Sequence, residues 1–233
     1  MPMSAGEVRK ALRELEDLRY AAGNLDEALR RIVLATHRLF AVDGAGLMLV
    51  DPDQLLRNVA VSDKRVHHLE ELQIEHGEGP GVDAFEEKTM VDSADLAGEH
   101  RWPSFCPAAV DRGLRAVLAS PIPYNQHAIG VVAVFSAKAR PWSPEGELAL
   151  VTFTDLAALC IANTMASEER GEVAEQLQRA LDARVVIEQA KGALVAREGL
   201  TEREAFERMR RQARRERRPI VEVAAEVMAA FRS

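Results

Sequence analysis

The chain has 233 residues, 47% of them hydrophobic, and a formal charge of −7 at pH 7, which excludes a wholly disordered chain. No run approaches the ~20 consecutive apolar residues of a membrane span, and the opening MPMSAGEVRKALRELEDL lacks the apolar core of a secretory signal. The two cysteines, Cys106 and Cys160, lie far apart and outside any C-x-x-C pair, so the expectation is no disulfide framework, no structural zinc and a cytoplasmic chain without a membrane partner.

In chain order, Glu7 to Tyr20 predicts a short amphipathic helix, broken at Gly23-Asn24, and Leu25 to Phe40 predicts a second. Gly46 to Asp51 is an apolar run closed by Asp-Pro, as a buried strand would be, and Leu55 to Ser62 supplies its hairpin partner. His67 to Gln73 fits helix and strand equally. Gly77-Glu-Gly-Pro-Gly81 reads as a loop, followed by a short helix from Val82 to Glu87, a strand from Met90 to Ser93 and a helix from Phe105 to Arg112. Two clear strands follow, Ala116 to Ile122 and Ile129 to Ser136, turned by Asn125-Gln126-His127. Pro144 opens a long helix, Glu145 to Ala166, at a position where proline is well tolerated. Hairpin-connected strands between helices predict an α+β domain with an antiparallel sheet.

From Thr164 to about Leu181 the sequence remains helix-forming apart from Gly171, and Val173, Leu177 and Leu181 line one face. This stretch suits a linker helix or a coiled coil. Three further helices are expected: Ala183 to Arg197, ended by Gly199; a second opened by the capping box Thr201-Glu-Arg-Glu204 and stopped before Pro219; and a third from Ile220 to Phe231. Their inward faces are Ile187, Ala190 and Leu194; Ala205, Phe206, Met209 and Ala213; and Ile220, Val223, Ala224, Val227 and Phe231. The outcome is an all-α three-helix domain. The expected organisation is an N-terminal helix (1–24), an α+β domain (25–165), a helical linker (166–182) and the helical domain (183–233).

Charge divides along the same line. Residues 183–233 hold 12 Lys/Arg against 8 Glu and no Asp, a net of +4, so the rest of the chain carries −11. The basic end is the one suited to a polyanion. Arg184, Glu188 and Lys191 share one face of the first helix. On the second helix Arg203, Arg210 and Arg214 form one stripe, Arg208, Arg211 and Arg215 another, and Arg217 and Arg218 extend the patch. Taken alone, such stripes suit solvated arginines, RNA, DNA or an acidic protein equally.

Here two resemblances add specificity. Arg184-Val-Val-Ile-Glu-Gln-Ala-Lys-Gly192, Ala205-Phe-Glu-Arg-Met-Arg210, Ala213 and Val223-Ala224 resemble the ANTAR domain of transcription antitermination regulators, over nearly all of 183–230. That resemblance implies binding to RNA with paired stem-loops, which keeps a terminator from forming. It places Lys191 and Gly192 where loop nucleotides approach, with Arg184, Arg210, Arg214 and Arg218 on phosphates or under bases. Gly192 has an alternative role in helix–helix contact.

Gly77-Glu-Gly-Pro-Gly81, Arg101-Trp-Pro103 and Pro121-Ile-Pro through Gly130-Val-Val-Ala-Val resemble a GAF domain over about 25–165. Phe85, Asp92, Trp102 and Phe105 are then candidates for a ligand pocket, with Asp83 nearby, and core packing is the alternative for the two larger aromatics. There is no clear cyclic-nucleotide signature, Cys106 is poorly placed for a bilin, and His67, His68, His76, His100 and His127 read as surface residues. The ligand, and any cofactor, is unknown. The combined expectation is a non-enzymatic regulator, a homodimer, that senses a small molecule or protein and binds RNA. A DNA-binding output is the alternative, opposed by Glu222 and Glu226 on the would-be reading helix.

Overall fold

The computed structural model describes residues 25–124, 127–166 and 172–232. The helix expected over Glu7 to Tyr20 and the turn residues Asn125 and Gln126 lie outside the described residues. The chain divides into two compact units. The first comprises the described residues up to Leu49 with Leu56–Glu175, and the second Val50–Leu55 with Gln176 onward.

The first unit is an α+β layer structure. Helix α1 (Leu25–Leu39) precedes the hairpin of β1 (Gly44–Val50) and β2 (Leu56–Val61). Helices α2 (Lys64–His76) and α3 (Pro80–Glu87) follow, then β3 (Val91–Ser93), α4 (Phe105–Asp111), β4 (Ala116–Tyr124), β5 (His127–Ser136) and α5 (Pro144–Ala166). The sheet order is β2-β1-β5-β4-β3, and the β1–β5, β4–β5 and β3–β4 pairs are antiparallel.

Both sheet faces are covered, which is why β1 is buried at every position and reads as a continuous apolar run rather than an alternating one. Val117, Ala119, Val131, Ala133 and Phe135 face a core shared with α2, α3 and α4. Their strand neighbours Leu118, Val132 and Val134 point to the opposite face and are equally buried. Pro121 and Pro123 are tolerated in β4 because β3 pairs only with Val117, Leu118 and Ala119, so the later part of β4 is an open edge on that side.

The segment that fits helix and strand equally in sequence is α2. Asp63 caps it, accepting from Arg65 N (2.7 Å) and Val66 N (3.3 Å), and Gly77 closes it at φ 67°. Helix α3 begins two residues earlier than expected, with Pro80 in its first turn.

Helix α5 differs from expectation in another respect. Pro144–Met165 is long and apolar enough to cross a membrane by length and composition, although 33% of its apolar window is buried within the protein. Leu150, Phe153, Ala157, Ile161 and Met165 point inward, whereas Leu148, Val151 and Leu159 are exposed.

In the second unit, α6 (Glu172–Glu198), α7 (Glu202–Glu216) and α8 (Ile220–Arg232) make the helical domain. The expected linker and first domain helix are one helix from Glu172, because no glycine or proline interrupts EVAEQLQRALDARVVIEQAK. Of the face suited to a coiled-coil seam, Leu177 is already buried and Leu181 is half-buried. The domain core is Ile187, Ala190, Leu194, Ala205, Met209, Ala213, Ile220, Val223 and Ala224, with Phe206 and Val227 partly buried against it. Phe231 does not join it: at the end of α8 it is 49% exposed.

Candidate functional site

In the helical domain the capping box starts α7 as the sequence predicts. Thr201 Oγ1 accepts from Glu204 N (3.2 Å), and Glu204 Oε2 accepts from Thr201 N (2.8 Å). Helix α7 ends at Arg217, held at φ 54° before Pro219, with its N–H on Arg214 O. These two ends fix the direction of every α7 arginine.

The residues expected at an RNA surface fall into different environments. Lys191 is only 15% exposed in its side chain; its Nζ lies 2.9 Å from Glu188 and 3.5 Å from Glu202, so it pins α6 to the start of α7. Gly192 follows on the exposed surface, and a Cβ placed there would meet nothing within 4 Å. The helix-contact alternative for this glycine therefore finds no neighbour among the described residues.

Arg184 is buried, and burial lowers its pKa below the ordinary arginine value, partly countered by Glu188. Arg210 is half-buried and pairs with Glu207 (3.2 Å). Arg218 joins Glu226 (2.6 Å), Glu222 (3.0 Å) and Glu216 (3.3 Å), and the hydrogen bonds to Glu226 and Glu222 raise its pKa. Arg214 is exposed and carries no ion pair among the described residues.

In the sheet unit the structure brings Trp102, Phe105, Asp83 and Arg101 together. Trp102 and Phe105 are fully buried and meet edge to face, with centroids 6.1 Å apart. Trp102 Nε1 donates to Asp83 Oδ2 at 2.7 Å, tying the Arg101-Trp102-Pro103 segment to α3. The Arg101 guanidinium stacks 4.3 Å from the Trp102 ring centroid and donates to the Asp92 carbonyl and to Glu99 Oε2, both at 2.6 Å. That hydrogen bond holds Glu99 down to about 2 despite partial burial. Asp92 itself is exposed on β3, and Phe85 is partly buried against the core. Glu78, from the glycine-rich loop, accepts from Ser104 N and Phe105 N and so caps α4.

Sequence reasoning missed a buried polar pair on α2. Glu70 and Gln73 are 0% exposed and face the sheet. Glu70 accepts from Asn58 Nδ2, but its Oε1 has no hydrogen-bond partner among the described residues; Gln73 Oε1 accepts from Gly81 N (2.7 Å), but its Nε2 has none among them. Gly46, Gly79 and Gly81 make room for them, since a Cβ at Gly46 would overlap the Glu70 carboxylate and one at Gly79 the Gln73 amide. Burial raises the Glu70 pKa well above the usual carboxylate value.

No group of three or more His, Cys, Asp or Glu suited to a metal occurs among the described residues. Burial, with help from Glu99, pushes the Cys106 thiol up to about 11, and burial also raises Cys160. Neither is an activated nucleophile. The five histidines named above are exposed.

Comparison with known proteins agrees with this architecture. The GAF domain family model matches residues 24–161 and the ANTAR domain model matches 175–228. With more than half of its length in the first match, the chain belongs to the GAF domain family, and it carries an ANTAR domain after the GAF domain. No curated protein matches the sequence.

Among solved structures, the GAF domain of an Acinetobacter phosphoenolpyruvate-protein phosphotransferase is 18% identical with a TM-score of 0.55, covering 70% of this chain and 98% of its own. The corresponding domain from Coxiella burnetii is 19% identical at 0.56, covering 67% and 95%. A free methionine-R-sulfoxide reductase from Neisseria meningitidis is 14% identical at 0.51, covering 66% and 91%. At these identities the likeness is one of fold.

Proposed function

We propose that this protein is a non-enzymatic, cytoplasmic regulator that binds paired stem-loops in nascent transcripts through its ANTAR domain and thereby prevents termination, under control of a signal received by the GAF domain. The observation that carries the reading is the Lys191-Gly192 surface. A glycine inside a helix costs about 1 kcal/mol relative to alanine, and this one meets no neighbour that would need the space. A ligand that approaches the α6 backbone, such as an extruded loop nucleotide, accounts for it.

The GAF ligand is a small molecule or a protein of unknown identity, and Phe85, Asp92, Trp102 and Phe105 are the residues proposed to respond to it. A second copy is the proposed partner: Leu34 on α1 and Leu148, Val151 and Leu159 on α5 are exposed apolar side chains that a helix of a second protomer would cover. Two tethered ANTAR domains bind two hairpins with the advantage of effective concentration.

The test is titration of the purified chain against a panel of paired stem-loop RNAs and the same sequences as duplex DNA, at stated salt. Selective RNA binding is expected. Equal affinity for duplex DNA, or no RNA binding by a folded chain, overturns the reading.

A further inference from the structure

The basic stripes of the helical domain look alike in sequence, but the structure separates them. Between Ala183 and Ser233 the acidic groups are eight glutamates. Each is already engaged. Glu188 and Glu202 face Lys191; Glu198 takes Arg197 (3.0 Å) and Arg208; Glu204 is held in the capping box. Glu207 pairs with Arg210, Glu216 with Arg215 (3.5 Å) and Arg218, and Glu222 and Glu226 with Arg218.

These contacts absorb Lys191 and five arginines, while Arg184 is buried beside Glu188. Among the described side chains of this segment, Arg203, Arg211, Arg214 and Arg217 remain exposed with no carboxylate partner.

Their placement is not scattered. At 100° per residue Arg203 and Arg214 lie about 20° apart around α7 and Arg211 about 60° further, opposite the buried Ala205, Met209 and Ala213. Arg203 and Arg214 are about 16 Å apart along the axis. Arg217, fixed in the left-handed region at the α7 cap, continues the row.

We propose that Arg203, Arg211, Arg214 and Arg217 are the surface that grips the RNA phosphate backbone, whereas Lys191 and Arg218 act first as clamps between helices and Arg210 is taken up by Glu207 on its own helix. The proposal rests on the RNA-binding reading above and adds which residues carry the charge contacts. A row about 16 Å long is long enough to face several phosphates of an RNA stem, whose A-form strands carry one at every nucleotide. Guanidinium forks suit phosphate oxygens in pairs of hydrogen bonds. The same face offers a protein partner no aromatic or apolar anchor, its other side chains being glutamates, a glutamine and further arginines.

The experiment measures the salt dependence of RNA affinity for the full-length chain. The probe is the tightest paired stem-loop RNA from the panel above, with the same sequence as duplex DNA alongside. The variants are Arg203→Gln, Arg211→Gln, Arg214→Gln and Arg217→Asn, singly and together, asparagine being chosen because it tolerates the left-handed conformation. Each phosphate contact contributes roughly 0.7 to 0.9 to the slope of log K against log salt, so each single variant is expected to lower the slope by about that much and the quadruple variant by about 3. Arg197→Gln and Arg215→Gln, which remove paired cations, should lower it by much less.

Wild-type RNA binding with an unchanged slope in a helical, folded quadruple variant overturns the stripe and leaves the RNA reading standing. Equal slope losses in the paired-cation variants overturn it too. Equal binding of duplex DNA, or no wild-type RNA binding, overturns the RNA reading itself and the stripe as an RNA surface with it.

Discussion

Gly192→Ala separates folding from recognition in one substitution. The residue sits inside the 27-residue helix α6, where glycine is about 0.8 to 1.0 kcal/mol less favourable than alanine. The added methyl meets nothing within 4 Å beyond the local backbone of its own helix, so neither a steric cost nor a packing gain modifies that figure. The helical domain should therefore gain about 1 kcal/mol, a rise of roughly 4 to 8 °C in its melting transition for a unit of this size. If loop nucleotides approach the backbone here, the same methyl obstructs them, and RNA affinity should fall by about tenfold, or about 1.4 kcal/mol. Thermal unfolding of the full chain by circular dichroism gives the first quantity and titration with stem-loop RNA at fixed salt the second. Unchanged affinity in a stabilised variant refutes Gly192 as a point of approach. A loss of stability refutes the open surface around it.

Other perturbations test the framework. Because burial raises the Glu70 pKa, the folded state holds that proton more tightly than the unfolded chain, so Glu70 lowers stability progressively as pH rises from the ordinary carboxylate range through the folded value. Glu70→Gln keeps the acceptor for Asn58, so urea titrations should show it more stable at neutral pH and matched to wild type below about pH 4; an advantage independent of pH refutes the assignment. Phe105→Ala empties a fully buried site against Trp102 and should cost about 3 to 5 kcal/mol with a change in tryptophan emission; a loss below 1 kcal/mol would mean the ring lines space rather than filling it. Thr201→Ala removes one half of the capping box and should cost the helical domain about 1 kcal/mol, and no loss in its unfolding transition would show that Glu204 caps α7 without it.

Elements with a single uncontested signal are legible in the sequence itself. Strands β4 and β5, the β1–β2 hairpin and the α7 capping box all follow from apolar runs, Asp-Pro, and Thr201-to-Glu204 spacing. Helix α2 was ambiguous because Glu70 and Gln73 occupy its inward face, so the apolar period that would mark it is broken where it matters. Its cap signals, Asp63 and Gly77, were present in the sequence and carried the answer.

The basic surface was only half legible. Periodicity placed the α7 arginines on their stripes, but no spacing rule shows that Arg218 reaches Glu226 or that Lys191 meets Glu202 across two helices. Arg184 shares its sequence face with Glu188 and Lys191 and yet is buried, a matter of what packs over it.

The full use of the eight glutamates also shapes how this domain can evolve. Replacing Glu198, Glu207 or Glu216 with a neutral residue releases an arginine already in place, so a single codon change raises the positive field without building a new side chain. Lowering the field by a new carboxylate is no harder, since four unclaimed arginines stand ready to accept one. Affinity for a polyanion can thus drift in either direction by small steps while the buried helical core is left untouched.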